Sequence, residues 1–166
     1  MTEPGVALGR RVEAALAAVA ALGPAIAAAP PLSAERRLGH NEDAWGPREV
    51  LAHLAEAVAF WHGEIERVLA ADRDGHVPAF GRVPGDAARV AIIARDHGLP
   101  AAVLLARLDR EGAAATVRIA RLTPAELARV GRHPVWGEMT VGMIVERTLA
   151  SHFEGHVEQL RALLAD

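Results

Sequence analysis

His152 and His156 are the residues whose type and spacing offer chemistry most directly. They stand at i and i+4 in residues 140–164, TVGMIVERTLASHFEGHVEQLRALL, a stretch with helical periodicity. Four residues make roughly one turn, so the two imidazoles stack on one side of the helix and both can reach a single metal ion. Val141, Val145, Leu149, Leu160 and Leu163 recur on the same face. Two imidazoles set in an apolar stripe without partners would cost a few kcal/mol. A shared metal removes that cost. Hydrogen-bonded core histidines and half-exposed ones are the competing readings.

A metal site needs at least one ligand from elsewhere, and His53 is the candidate. It lies on a helix opened by Trp45-Gly46-Pro47, with Pro47 at a first-turn position. Val50, Leu54, Ala57, Trp61, Ile65 and Val68 form the apolar seam of that helix, and Glu49, Glu56 and Glu66 take the opposite side. His53 falls about 100° from Leu54, at the rim of the buried stripe. His62 lies too far along the same helix to share a site with it. His40, His76, His97 and His133 fall in expected loops or at helix ends, where histidine is ordinarily solvated. Glu49, Glu56, Glu154 and Glu158 are the carboxylates close enough in sequence to orient the three histidines, with solvent-facing charge as the plainer role for each. Gly155 either clears space at the site or is incidental. Trp45, Trp61 and Trp136 are candidate pocket walls, Trp61 with a core role as its alternative and Trp45 and Trp136 with helix-end packing as theirs.

The elements that position these residues read as helices. The chain has 166 residues, enough for one domain with a real core. It is 51% hydrophobic and only 4% aromatic, much of the apolar content being alanine, so helix is favoured over sheet. Net charge is −3, and the 18 basic residues, all arginine, are scattered, which leaves no footprint for nucleic acid or an anionic membrane. There is no cysteine, so any metal must take His, Asp, Glu or water, and disulfides are excluded.

Along the chain, residues 5–29 read as the first helix, with Leu8, Val12, Ala15, Val19, Leu22 and Ile26 as a bundle seam. That seam and Glu13 argue against a signal peptide, and no run is expected to qualify as a membrane span. Pro30-Pro31 ends the helix, and a polar connection with a turn around Ser33 follows. Residues 73–86 form a loop and residues 87–96 a short helix. Pro100 opens a third long helix with the seam Ala101, Leu105, Leu108, Gly112, Ala115, Ile119, Leu122. Thr123-Pro124-Ala125-Glu126 matches a capping box, residues 132–137 read as a loop, and Thr140 caps the last helix. The expected fold is all-α: a four-helix bundle with short extra helices in its connections, in a single domain over residues 1–166.

The segment from Trp45 to Leu54, WGPREVLAHL, together with Gly137-Glu-Met-Thr-Val and His152-Phe-Glu-Gly-His156-Val-Glu-Gln-Leu, resembles the DinB/YfiT-like superfamily. Arg132-His133-Pro134 resembles its DinB_2-type branch, and the likeness covers roughly residues 5–164. The resemblance implies an up-down-down-up type of four-helix bundle. It also implies that His53, His152 and His156 bind a divalent metal ion, nickel or zinc and sometimes manganese. Three imidazoles leave coordination open, the mark of a catalytic ion, which lowers the pKa of water or takes up a thiol as thiolate. The expected function is therefore that of a metal-dependent enzyme, a thiol S-transferase or a hydrolase of small molecules. The alternative is a non-catalytic metal-binding, stress-associated protein. The family further implies a low-molecular-weight thiol as co-substrate and a homodimer, and the expected setting is cytoplasmic.

Overall fold

The computed structural model describes residues 3–30, 32, 42–71 and 75–165. His40 and the turn expected around Ser33 lie outside the described residues. The long elements are α1 (Glu3–Ala28), α2 (Pro47–Ala70), α4 (Ala101–Ala120) and a C-terminal helix in three parts. Those parts are α6 (Val141–Val145), a π turn (Glu146–Ser151) and α7 (His152–Ala165). A 3₁₀ turn (Glu42–Ala44) precedes α2, α3 (Ala87–Asp96) fills the second connection, and α5 (Pro124–Leu127) leads to a hairpin of β1 (Val130–His133) and β2 (Gly137–Thr140).

The local signals act where the sequence places them. Pro47 sits in the first turn of α2. The Asp86 carboxylate accepts from the Arg89 amide at 3.0 Å and starts α3. Thr123 and Glu126 close a reciprocal capping box on α5. Thr140 accepts from the Met143 amide at 3.2 Å and starts the last helix.

α1 packs against α4 and α7, and α2 packs against the same two, so α1 and α2 sit diagonally in the bundle. Close helix approach depends on glycine. Gly9 and Gly23 lie in the seam of α1, where Leu8 and Leu22 are expected but only half-buried. A Cβ at Gly9 would stand 3.3 Å from Ala120 Cβ, and one at Gly112 would stand 2.5 Å from Leu16 Cδ1. On α4, Leu104 takes the core position expected for Leu105. α1 is long and apolar enough to cross a membrane by length and composition, contrary to the expectation that no run qualifies. Its Val12, Val19 and Ile26 are wholly enclosed in the core.

α2 departs most from its expected amphipathic pattern. Every residue from Glu49 to Val58 is buried, so Glu49 and Glu56 are not on a solvated face. The helix is covered by α4, α3, α7 and α6.

The segment read as a loop is a two-stranded hairpin, pairing Val130 with Thr140 and His133 with Gly137. Gly131 in β1 faces inward with Phe80 Cδ1 2.7 Å from where a Cβ would stand. The π turn was likewise not expected. Its wide turn rotates α7 relative to α6, so the buried stripe passes through Phe153, Val157 and Leu160. The two histidines of α7 lie along the flank of that stripe, towards α2.

Candidate metal centre

α2 carries His53 and α7 carries His152 and His156 to one point. His53 Nε2 lies 3.1 Å from His152 Nε2, which lies 3.0 Å from His156 Nε2. His53 is 2% exposed and His156 5%, while His152 is half-buried. His53 is therefore not a rim residue. Its ring packs 5.2 Å from that of Trp45, inside the bundle. Glu42, on the 3₁₀ turn, places Oε1 3.9 Å from His53 Nε2 and Oε2 3.8 Å from His156 Nε2. One ligand atom from each of the four residues lies within 4.8 Å of the others, and this His/Glu group could hold a metal ion.

The hydrogen bonds fix two of the tautomers. Gln159 Nε2 donates to the Glu42 carbonyl at 2.7 Å, which leaves Gln159 Oε1 to accept from His156 Nδ1–H, also at 2.7 Å. His152 Nδ1 is 3.2 Å from the Thr148 carbonyl, which can only accept. Both rings thus keep their proton on Nδ1 and turn Nε2 lone pairs towards each other. Facing lone pairs 3.0 Å apart repel unless a cation or a proton sits between them. Donors on a tetrahedral ion with bonds of ~2.0–2.1 Å stand about 3.3 Å apart, so the set fits a divalent ion. Burial pushes the His53 imidazole well below its ordinary range, and His152 and His156 push it further. Burial, then His156, brings His152 down to about 3, and burial also lowers His156. All three are neutral at pH 7, the form that ligates.

The π turn sets the orientation of His152. Its amide bonds the Leu149 carbonyl, three residues back, rather than that of Thr148, its partner in a regular α-helix. The Thr148 carbonyl instead receives the His152 ring.

The other candidates separate. Glu154 binds Arg11 at 2.8 and 2.7 Å, and Glu158 binds Arg161 at 2.5 Å, so neither reaches the centre. Glu56 pairs with Arg82. Among the described residues, neither carboxylate oxygen of the buried Glu49 has a hydrogen-bond partner, nor does His53 Nδ1, one turn on. Gly155 is exposed with nothing near its Cβ position, so it clears no space at the centre. His62 is half-buried on α2 and His76 is exposed. His133 is not a solvated loop residue. It is buried, stacks on Trp136 with ring centroids 3.8 Å apart, and accepts from the Val135 and Trp136 amides at 3.2 Å.

A cavity of about 400 Å³ opens beside the centre. His53 and His152 form one part of its wall, and Trp61, Trp136, Val83 and Pro84 supply apolar surface. Trp61 is both core and wall, Trp136 is wall, and Trp45 packs behind His53. Glu42 and the cavity-lining Arg82, Arg89 and Arg147 were missed in the sequence. Glu42 sits in an aperiodic connection, and scattered arginines carry no spacing signal.

No curated protein and no solved structure matches the chain. The family model described as the DinB superfamily matches residues 7–160, a span that takes in both helices bearing the histidines and the turn bearing Glu42. On that match, the chain belongs to the DinB superfamily.

Proposed function

We propose that this chain is a metal-dependent enzyme that joins a low-molecular-weight thiol to a small molecule, with His53, His152 and His156 as the ligands. The observation that supports this most is the trio of Nε2 atoms, with successive spacings of 3.1 and 3.0 Å, two of whose rings line a cavity of about 400 Å³. A divalent ion bound there would supply the Lewis acidity that turns a thiol or a water into a nucleophile near neutral pH. The chain has no cysteine, so the thiol comes from outside. The residues do the remaining work. Gln159 and the Thr148 carbonyl hold two imidazoles with Nε2 forward. Trp61 and Trp136 give the cavity an apolar wall that displaces water from a bound substrate.

Hydrolysis is the second reading, favoured by Glu42. Its carboxylate stands 3.8–3.9 Å from two of the Nε2 atoms and is placed to accept a proton from a nucleophile at that point. The reading includes a cytoplasmic setting, where small thiols stay reduced, and a homodimer. Metal analysis of the purified chain comes first: about one divalent ion per chain is expected, lost in His152→Ala, and the same measurement identifies it as nickel, zinc or manganese. Unchanged metal content in that variant refutes the ligand set. Turnover of electrophiles with a panel of thiols then separates S-transfer from hydrolysis. No turnover in either assay leaves a non-catalytic metal-binding protein and refutes the enzyme.

A further inference from the structure

We infer that the substrate carries a carboxylate, which docks on Arg147, with an apolar body lying in the part of the cavity walled by Trp61, Val83 and Pro84. The inference rests on the proposed site for its reacting end, but its evidence is separate and lies in the charge balance and shape of the cavity wall.

Three guanidinium groups line the cavity, and two are neutralised within the protein. Arg82 is paired with Glu56, its Cζ lying 3.7 Å from the centre of the Phe60 ring. Arg89 is buried, paired with Glu42 and bonded to the Pro84 carbonyl at 2.8 Å. Arg147 has no carboxylate partner among the described residues. Its Cζ instead lies 4.4 Å from the centre of the Trp136 ring. Stacking occupies the face of a guanidinium and leaves its N–H edge free for a planar, two-oxygen acceptor. Among the described residues, two of the three guanidinium groups in this wall have carboxylate partners and one has none. A single free guanidinium matches one carboxylate.

Backbone geometry aims this charge at the site. Residues five apart on an α-helix stand about 140° apart around the axis. Arg147 and His152 are five apart, but the π turn lies between them, and its wider turn brings both to the same side. Both line the cavity. Trp136 is itself held rigid, stacked 3.8 Å from His133 and 6.0 Å from Trp61. Trp136 is thus sandwiched between His133 and the Arg147 guanidinium, and the wall offers the N–H edge of that guanidinium, the apolar surface of Trp61, Val83 and Pro84, and the imidazoles beyond. That pattern selects a planar acid over its neutral counterpart.

The test uses the full chain, before and after chelation, and two probes of nearly equal shape: phenylacetate and phenylacetamide. Binding is read from tryptophan fluorescence, since Trp61 and Trp136 line the cavity. A charge-assisted, two-point contact predicts that the acid binds roughly tenfold or more tighter than the amide. Chelation leaves that preference in place, which excludes direct ligation of a metal by the probe. Arg147→Met brings the two probes to within about twofold of each other, Arg147→Lys keeps part of the preference as a point charge, and Arg161→Met, a surface control, keeps all of it. Equal binding of acid and amide by the parent chain overturns the inference, as does a preference that survives Arg147→Met. A chain that prefers the acid but binds no metal upholds this inference while refuting the metal centre. A chain that binds metal with no preference does the reverse.

Discussion

Gln159 is the most informative residue to change, because it touches the centre without being a ligand. One amide group serves two elements: Oε1 accepts from His156 Nδ1–H and Nε2 donates to the Glu42 carbonyl, each at 2.7 Å. It holds the ring of His156, one of the proposed ligands, and ties down the turn that bears Glu42. Gln159→Met keeps the length of the side chain and removes both bonds. Residues that orient a ligating histidine are typically worth 10–100-fold in metal affinity, or about 1.4–2.7 kcal/mol at 1.36 kcal/mol per tenfold. The lower half of that range is expected here, because the i, i+4 spacing on α7 still brings His156 close to His152 without Gln159. Gln159→Glu sharpens the comparison. It keeps an acceptor for His156 Nδ1–H and loses only the donor to the Glu42 carbonyl.

Zinc affinity measured by competition with a chromogenic chelator reads the effect, and melting of the metal-free chain reads any loss of fold separately. The expected order is parent and Gln159→Glu close together, with Gln159→Met at least tenfold weaker while melting within a few degrees of the parent. If Gln159→Met binds zinc within threefold of the parent, the tautomer derived from this hydrogen bond does not matter to the site. If Gln159→Glu is weakened as much as Gln159→Met, the tie to Glu42, not the ring of His156, is what the residue supplies.

Other outcomes follow from single contacts. Zinc at 100 times its Kd should raise the unfolding free energy by about 2.7 kcal/mol in the parent chain and by far less in His53→Ala, read from chemical denaturation. Gly81 has φ of +78° and faces His133, so Gly81→Ala combines a left-handed backbone with overpacking and should cost about 2–4 kcal/mol, read in the same way. Asp96 is buried and paired with Arg95 and Arg107, which hold its carboxyl below the usual range. A depressed carboxyl contributes stability above its unfolded pKa and loses it as pH falls through the folded value. Asp96→Asn should therefore destabilise the chain at pH 7 and make little difference at pH 2, and equal effects at both pH values would show that the pairs contribute nothing.

The helices and the three histidines were legible because both rest on local rules. Prolines and caps mark the helix starts, and the i, i+4 step that pairs His152 with His156 holds in any α-helix. Burial of Glu49 and Glu56 was not legible, since it follows from α2 being covered on more than one side, a property of its neighbours. Glu42 was missed for the same reason. It reaches the site through a tie to Gln159, 117 positions away, and no period in its own segment points there. The hairpin escaped because its strands have four residues each, with β-branched residues only at Val130 and Thr140. The three histidines that the family resemblance implies as ligands are brought together by the fold, but the resemblance offered nothing about the wall facing them.

That wall and the ligands meet at the π turn, and its position explains why it persists. A regular α-helix through residues 146–151 would satisfy the Thr148 carbonyl with the His152 amide and leave the His152 ring to find another partner. It would also swing Arg147 away from His152. The wider turn gives up regular backbone pairing over one turn, yet it gains a bond from the carbonyl to the ring and brings a cation into the cavity. Its outer side is fastened as well: Glu146 binds Arg11 of α1 at 2.6 Å, and Ser151 Oγ donates to Glu146 at 3.0 Å. Arg11 also binds Glu154, in the first turn of α7, so one guanidinium clamps the helix on both sides of the irregularity. The distortion is thus held from outside by α1 and used from inside by His152. A local defect in hydrogen bonding at such a place is what it costs for a proposed ligand and a proposed substrate anchor to leave the same helix on the same side.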